Sequence, residues 1–399
     1  MIGALVEAWA EFRVHRARVL LSLMGVAIAV AALAGVVGMG AVATQAQTEQ
    51  LERGGGRPAT LVLSPPYRAE DGKQADPARL ATAFDQIVER YAITYAGAVG
   101  WGETRLQFAD GTEHVALSVV APAYGPMHRM QLAEGAWFSA RDELRLSPAL
   151  VVSDAVWRRL GAPALSTNPT VTVYGASPTT ATIVGVLPPD PWGENYQAYI
   201  LGTGYATIAP ATQTSAPMYE FWVPLELADA LQERIRAEVA SALGDGWVVD
   251  VQRQDYLAWG LTDPLEPIRL ILLGIAGLIL FLGALSLVNI ALVTVRQRVR
   301  EIGIRRAFGA TAPRVFLAVM LESVVATVVA GVLGVVLAVI LVQSEWIRGL
   351  IAPGLQDAVP FPAEAALIGL LAATAVGALA GLLPALVAVR VKVIDAIRY

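Results

Sequence analysis

The chain contains no cysteine, only two lysines and three histidines, and few charges of either sign for its 399 residues. Without cysteine there is no disulfide framework, no thiolate metal site and no cysteine nucleophile. His15, His114 and His128 lie far apart and form no ligand pair at helical spacing, which argues against a histidine-rich metal site. A Walker A loop needs a lysine followed by serine or threonine. Here Lys73 precedes Gln74 and Lys392 precedes Val393, so the sequence holds no phosphate-cradling loop. Neither a Gly-x-Ser-x-Gly elbow nor a His-Glu-x-x-His pair occurs. The expectation is a chain with no catalytic residue, no bound cofactor and no metal.

What is abundant is apolar. Hydrophobic residues make up 55% of the sequence and charged ones 16%, well under the roughly 25% charge of soluble chains. Charge-free stretches run from Val19 to Thr48, Leu270 to Val295, Val315 to Leu321 with Ser323 to Ser344, and Ala365 to Val389. A membrane-spanning helix needs about 20 such residues. Four spans are therefore expected, at 19–44, 267–296, 315–343 and 365–390. The small-residue run Ala41-Val42-Ala43 fits a signal-peptide cleavage site, but the apolar core before it is about twice the usual length for a signal. An uncleaved anchor is the expectation.

Charge asymmetry sets the orientation. The segments flanking the spans on one side hold Arg13, Arg16 and Arg18, then Arg296, Arg298, Arg300, Arg305, Arg306 and Arg314, and finally Arg390, Lys392 and Arg398. Against these twelve basic residues stand four acids, Glu7, Glu11, Glu301 and Asp395, while the remainder of the chain is net acidic. The basic side is read as cytoplasmic, with both termini inside. Residues 1–18, with Ile2, Leu5, Val6, Trp9 and Phe12 at helical spacing, read as an amphipathic interfacial helix or as an extension of the first span. Residues 45–266 form a large extracytoplasmic domain, 297–314 a cytoplasmic loop, 344–364 a short external loop and 391–399 a cytoplasmic tail.

The external domain alternates strand and helix signals. Ala59–Leu63 reads as a strand. Asp76-Pro77 opens a helix presenting Leu80, Phe84, Ile87, Val88 and Tyr91. Val115–Val120 reads as a strand, and Ser153–Gly161 as a short capped helix. Val171–Leu187 reads as two strands joined through Tyr174-Gly175-Ala176-Ser177. A further helix runs from about Glu226 to Leu243, with Leu227, Leu231, Ile235 and Val239 four apart. The fold class is an α-helical membrane protein with four transmembrane helices and an α+β domain, in two subdomains, inserted between helices 1 and 2. The second span should start at Asp263-Pro264 and run to about Gln297, roughly 50 Å at the helical rise. That exceeds the roughly 30 Å hydrocarbon core. With span one helical on to about Glu52, the two form a stalk that can transmit movement.

The inner segment Arg296-Gln297-Arg298-Val299-Arg300-Glu301-Ile302-Gly303-Ile304-Arg305-Arg306-Ala307-Phe308-Gly309-Ala310 is dense in arginine. Its Ile302, Ile304 and Phe308 are out of place on a purely solvated face. Apolar anchors ringed by arginine fit docking to a protein; a basic loop with membrane-facing apolar groups is the alternative. This segment resembles the loop between the second and third spans in the MacB/FtsX-type family of ABC-transporter permeases, where R-x-R-E-I-G-I-R-R-A-x-G-A is typical. The tail Gly381-Leu382-Leu383-Pro384-Ala385 with Arg390 and Asp395-Ala396-Ile397-Arg398 is similar to that family's closing motif, although Leu386-Val387 stand where an arginine is common and Lys392 adds a charge. Leu132-Ala133-Glu134-Gly135-Ala136-Trp137-Phe138, Val151-Val152-Ser153 and Ile183-Val184-Gly185-Val186 resemble its extracytoplasmic core.

The resemblance implies a permease half in the bacterial cytoplasmic membrane, paired with a second half, identical or related, and with cytoplasmic ABC ATPase subunits that bind ATP and Mg. It implies that Arg300, Glu301, Ile302, Arg305, Arg306, Phe308 and Gly309 form the contact gripped by the ATPase, and that ATP-driven closure inside moves the external domain. An external adaptor, a cell-wall hydrolase and membrane lipid are further partners; nucleic acid is not. Two functions follow: export or extraction of an amphiphile, peptide or lipoprotein, or FtsX-like signalling that activates an external cell-wall hydrolase. Glu322, about seven residues into span three, is expected to pair with a coupling-loop arginine or snorkel to the interface. Gly377-x-x-x-Gly381 and Gly331-x-x-Gly334 allow close helix approach within one subunit or between two, and Pro384 is expected to kink span four.

Overall fold

The computed structural model describes residues 16–190, 193–209, 216–258, 260, 266–297, 302, 304, 307–308, 310–352, 354–355 and 357–390. The chain divides into two compact units, Met1–Ala46 with Asp263–Tyr399, and Gln47–Thr262. The expected interfacial helix, the Asp263-Pro264 cap and the C-terminal tail lie outside the described residues.

Among the described residues four helices are long and apolar enough to cross a membrane: α1 (Arg16–Gly55), which begins in the first unit and ends in the second, and α6 (Glu266–Gln297), α7 (Ala312–Gln343) and α9 (Ala363–Arg390) in the first. Their packing follows residue size. The buried residues of α7 include Thr327, Ala330, Gly331, Gly334 and Ala338, and those of α9 include Gly369, Ala373, Gly377, Ala380 and Gly381. Small side chains let the backbones meet, which is how helices associate where lipid offers no hydrophobic drive. A Cβ at Gly377 would fall 2.0 Å from Thr327 Oγ1, and one at Gly381 2.8 Å from Ser323 Cβ. Both glycine motifs therefore pack within the subunit. Val26 and Val30 of α1 join Ala330 and Ala373 in one apolar cluster. Helix α6, by contrast, leaves most of its leucines and isoleucines uncovered in the single chain. Pro384 lies inside α9, buried, without ending the helix. The stretch read as an external loop contains a two-turn helix, α8 (Glu345–Ile351), capped by the Ser344 hydroxyl accepting from Ile347 N–H.

The second unit is α+β. Among the described residues its strands are β1 (Thr60–Leu63), β2 (Tyr67–Arg68), β3 (Tyr95–Phe108), β4 (Gly111–Val120), β5 (Glu134–Gly135), β6 (Ala149–Val152), β7 (Thr170–Tyr174), β8 (Pro178–Val186), β9 (Gln197–Leu201), β10 (Met218–Trp222), β11 (Trp247–Val248) and β12 (Val251–Arg253). Among the described residues its helices are α2 (Pro77–Arg90), α3 (Asp154–Arg159), α4 (Gly202–Ile208) and α5 (Ala228–Leu243), besides the end of α1 and a single turn at Tyr124–Met127.

Two lobes share strand β3. Its first five residues pair with β10, which continues through β1 to β12, all antiparallel. Helices α2 and α5 cover this sheet: Leu80 and Ile87 from one and Ile235 and Val239 from the other pack on Leu61, Leu63, Tyr219 and Phe221. The sequence periodicity of both helices is borne out, with two local differences. Asp76 makes no side-chain cap, leaving Pro77 to open α2. Leu227 falls in a 3₁₀ turn before α5 and is exposed.

From Gly100 onward β3 pairs with β4, and the ladder runs on through β9, β6, β8 and β7 back to β3 at Arg105 and Leu106. This closes a six-stranded barrel, a mixed one, since β4–β9 and β6–β8 are parallel. Leu106 and Phe108, Val115 and Leu117, Leu150 and Val152, Val171 and Val173, Ala181 and Ile183, and Ala198 and Ile200 fill its core. Each pair is two residues apart, the period that sends side chains to one face of a strand. On the outer face Val151, Tyr199 and Leu201 are covered by the segment 124–138, with Trp137 and Phe138 packed there. Gly135 is required at its position: φ is +86° and a Cβ would lie 2.2 Å from the Val184 carbonyl oxygen.

Candidate coupling site

Two places stand out as candidate sites. The first is the arginine-rich segment between α6 and α7. At the described positions Ile302, Ile304 and Ala307 have helical backbone, and Phe308 N–H donates to the Ile304 carbonyl at 3.1 Å. Ile302 is buried against Val295 of α6, Val315 of α7 and Ala388 of α9. It ties the segment to the helix bundle and offers no surface for docking. Phe308 is 89% exposed and Ile304 about half exposed. An exposed phenylalanine in an arginine-rich segment is the apolar anchor expected of a protein contact. Arg300, Glu301, Arg305, Arg306 and Gly309 lie outside the described residues. Glu322 is on α7 with its side chain at the surface of the chain.

The second place is the end of α1, expected from the sequence to extend to about Glu52 as part of a stalk, but not to be held by buried charge. The helix runs 40 residues, to Gly55, about 60 Å at 1.5 Å per residue. Its last two turns belong to the second unit and carry Glu49 and Glu52, both buried. Arg129 ion-pairs with each, reaching Glu49 at 3.7 Å, and Arg53 reaches Glu49 at 3.5 Å. Beside them His128, only 2% exposed, bridges the helix end to the sheet. Its Nδ1 lies 3.1 Å from the Arg53 carbonyl oxygen and its Nε2 2.7 Å from Glu220 of β10. A carbonyl only accepts, so Nδ1 carries a hydrogen. Tyr124 stacks on the imidazole at 3.9 Å between ring centres. Arg57 N–H donates to the Met127 carbonyl and its guanidinium to the Pro126 carbonyl.

Asp255 completes this end of the unit. Fully buried, it accepts from the N–H groups of Ala59, Leu257 and Ala258 and from the Arg253 guanidinium through both oxygens. The hydrogen bonds to Asp255 hold Arg253 above its ordinary pKa. Arg129 thus ties the 127–130 turn, and His128 strand β10, to the end of α1, while Asp255 ties the chain leaving β12 to Ala59 just beyond that end. Among the described residues no group of three or more His, Asp or Glu is placed to hold a metal.

The comparisons with known proteins agree with this architecture. Residues 19–242 match the MacB-like periplasmic core domain family, and residues 273–393 the FtsX-like permease C-terminal family. The chain belongs to the MacB-like family of ABC-transporter permeases. Among curated relatives, it is 26% identical over 416 residues to the Macrolide export ATP-binding/permease protein MacB 1 of Yersinia pestis, covering 99% of this chain and 60% of that protein. It is 24% identical over 343 residues to the Probable export ATP-binding/permease protein MacB of Pseudomonas entomophila, covering 80% and 48%. The chain thus spans about half to three-fifths of the length of these relatives. Similar solved structures include the periplasmic region of MacB from Actinobacillus actinomycetemcomitans, with a TM-score of 0.38, 10% identity, and coverage of 51% of this chain and 93% of that one. Another is the extracellular domain of the noncanonic ABC-type transporter YknZ from Gram-positive bacteria, with a TM-score of 0.37, 11% identity, and coverage of 48% and 99%.

Proposed function

We propose that this MacB-like permease couples ATP hydrolysis by a separate ABC ATPase to movement of its extracytoplasmic domain, for export or extraction of an amphiphile, peptide or lipoprotein. The observation that carries the reading is helix α1, continuous from an apolar spanning stretch to the buried charges around Glu49 and Glu52. A stiff element fastened at its far end by desolvated ion pairs transmits displacement where a flexible tether absorbs it. The excess of basic residues in the segments flanking the spans supports cytoplasmic termini and an inner location for the 297–314 segment. The exposed Phe308 supports docking there of the ATPase, which binds ATP and Mg, with a second permease half completing the transporter. Activation of an external cell-wall hydrolase draws on the same motions; the large external unit with its two lobes favours export.

Co-purification of the ATPase with variants of the inner segment tests the reading. Phe308→Ala and Arg305→Glu should each weaken ATPase retention about thirtyfold, the effect of losing a hot-spot contact of about 2 kcal/mol. The protease resistance of the external domain should stay unchanged. Full retention of the ATPase by both variants would leave the inner segment a passive basic loop.

A further inference from the structure

The segment between α7 and α9 holds a short helix with one packed side and one bare side. Helix α7 stops at Ser344, whose backbone is extended (φ −67°, ψ 136°) and whose hydroxyl accepts from Ile347 N–H at 3.4 Å to open α8. No linker separates the two helices, so α8 begins where the apolar run of α7 ends. Its inward side is fixed by packing. Ile347 and Ile351 are half-buried, and Ala352 is buried with Val42 of α1 and Val342 of α7. Phe361, farther along the same segment, joins that cluster, and a Cβ at Gly38 of α1 would fall 2.7 Å from its ring. The segment therefore sits closely on α1. On the bare side Trp346 is 74% exposed and Leu350 73%. Four residues apart, they share one helix face. Arg348, two residues from each, lies on the opposite side and donates to the Gln343 side-chain oxygen at 2.7 Å.

Depth decides what covers this face. Val315–Val342 contains a single charge, Glu322. At 1.5 Å per residue it is about 42 Å long, against about 40–45 Å for a bilayer with its headgroup layers. A helix that follows it directly lies at headgroup level. Ile340 and Leu341 in the last turn of α7 are also exposed in the single chain, so bare apolar surface continues from the spanning helix into α8. Tryptophan favours that layer, because its ring is apolar and its N–H is a donor. An apolar face with the charge on the opposite side is the pattern of a helix lying in the interface.

We propose that α8 rests on lipid: Trp346 and Leu350 enter the headgroup–acyl boundary of the outer leaflet and hold the segment packed on α1 at a fixed depth. The choice of leaflet rests on the charge-based orientation given above; the contact with lipid does not. The test uses the full chain, which has no native cysteine, in phosphatidylcholine nanodiscs. Bimane is attached at Trp346→Cys, at Leu350→Cys, or at Ser177→Cys in the exposed β7–β8 turn as reference. Each of the first two variants keeps the other apolar residue, and thermal melting verifies the fold. Lipid carrying a nitroxide high on its acyl chain should quench the Trp346→Cys and Leu350→Cys labels and leave the reference bright. Aqueous iodide should quench them about tenfold less than the reference, the protection expected at the headgroup–acyl boundary. Iodide quenching equal to the reference overturns the proposal. So does shielding from both quenchers, which a covering protein would give. Both quenchers reach either face of a nanodisc and no ATPase is present, so failure here is distinct from a wrong orientation and from failure of the coupling reading.

Discussion

Arg129 shows how much a single residue can hold. It ion-pairs with Glu49 and Glu52 of α1, and its neighbour His128 joins the same helix end to Glu220. Removing one partner of a buried pair leaves the other charge desolvated, at a cost of about 3–5 kcal/mol. Arg129→Met should therefore lower the denaturant midpoint of the external unit, followed by tryptophan fluorescence, by an amount corresponding to that range. Adding Glu49→Gln and Glu52→Gln to Arg129→Met should recover part of the loss, since no buried carboxylate is then left unpaired and the Arg53 side chain, released from Glu49, is 34% exposed to water. A midpoint unmoved by Arg129→Met would mean that these contacts carry no weight. None of this was legible in the sequence. Glu49 and Glu52 stand at the end of an apolar run, where acids ordinarily mark a return to water. The residues that bury them lie about 75 to 170 positions away, and no local periodicity reports such a meeting. Phe308 was legible, because an aromatic side chain among arginines is conspicuous without any partner. Ile302 looked the same, yet it faces the bundle. A short basic segment does not reveal which of its apolar groups point inward.

At the scale of elements, the membrane helices were the easiest to read, because the absence of charge over 20 or more residues is a direct signal. Their packing was half legible. Glycine spacing announced close approach but left the partner open, and the structure places Gly331, Gly377 and Gly381 in the α7–α9 contact and Gly334 against Ala27 and Val30 of α1. Gly377→Val places a side chain against the Val324 backbone, where a Cβ is already 2.9 Å from Cα, and against Thr327. Neither backbone nor the short threonine can give way. The variant should melt several degrees lower in detergent, a fall of the kind that accompanies overpacking by about 1–3 kcal/mol. Gly274→Ala, on α6 with nothing within 4 Å of the added carbon, should leave the melting temperature unchanged. Equal melting of both variants would contradict the close α7–α9 contact. In the external unit the strands and the β7–β8 hairpin followed from alternation and turn residues. The closed barrel did not, because closure depends on β3 pairing with β7 some 70 residues later. Local patterns do not encode that register.

At the scale of the whole molecule, the sequence carries no phosphate-binding loop, Phe308 is exposed in an arginine-rich segment, and the end of α1 is held in the external unit by buried charge. Mechanical coupling through α1 is the claim that joins these parts. It is tested most directly by measuring distances between spin labels on Ser177→Cys in two paired permease halves, in complex with the ATPase, with and without ATP and vanadate. Ser177 lies in the exposed β7–β8 turn, and the chain has no cysteine of its own to interfere. Trapping the ATPase should shift the distance distribution. A Gly-Ser-Gly insertion after Thr48, which leaves Glu49 and Glu52 in place but breaks the helix before them, should abolish the shift while ATP hydrolysis continues. A distribution that ignores the nucleotide, or a shift of the same size with the insertion present, would contradict coupling through α1.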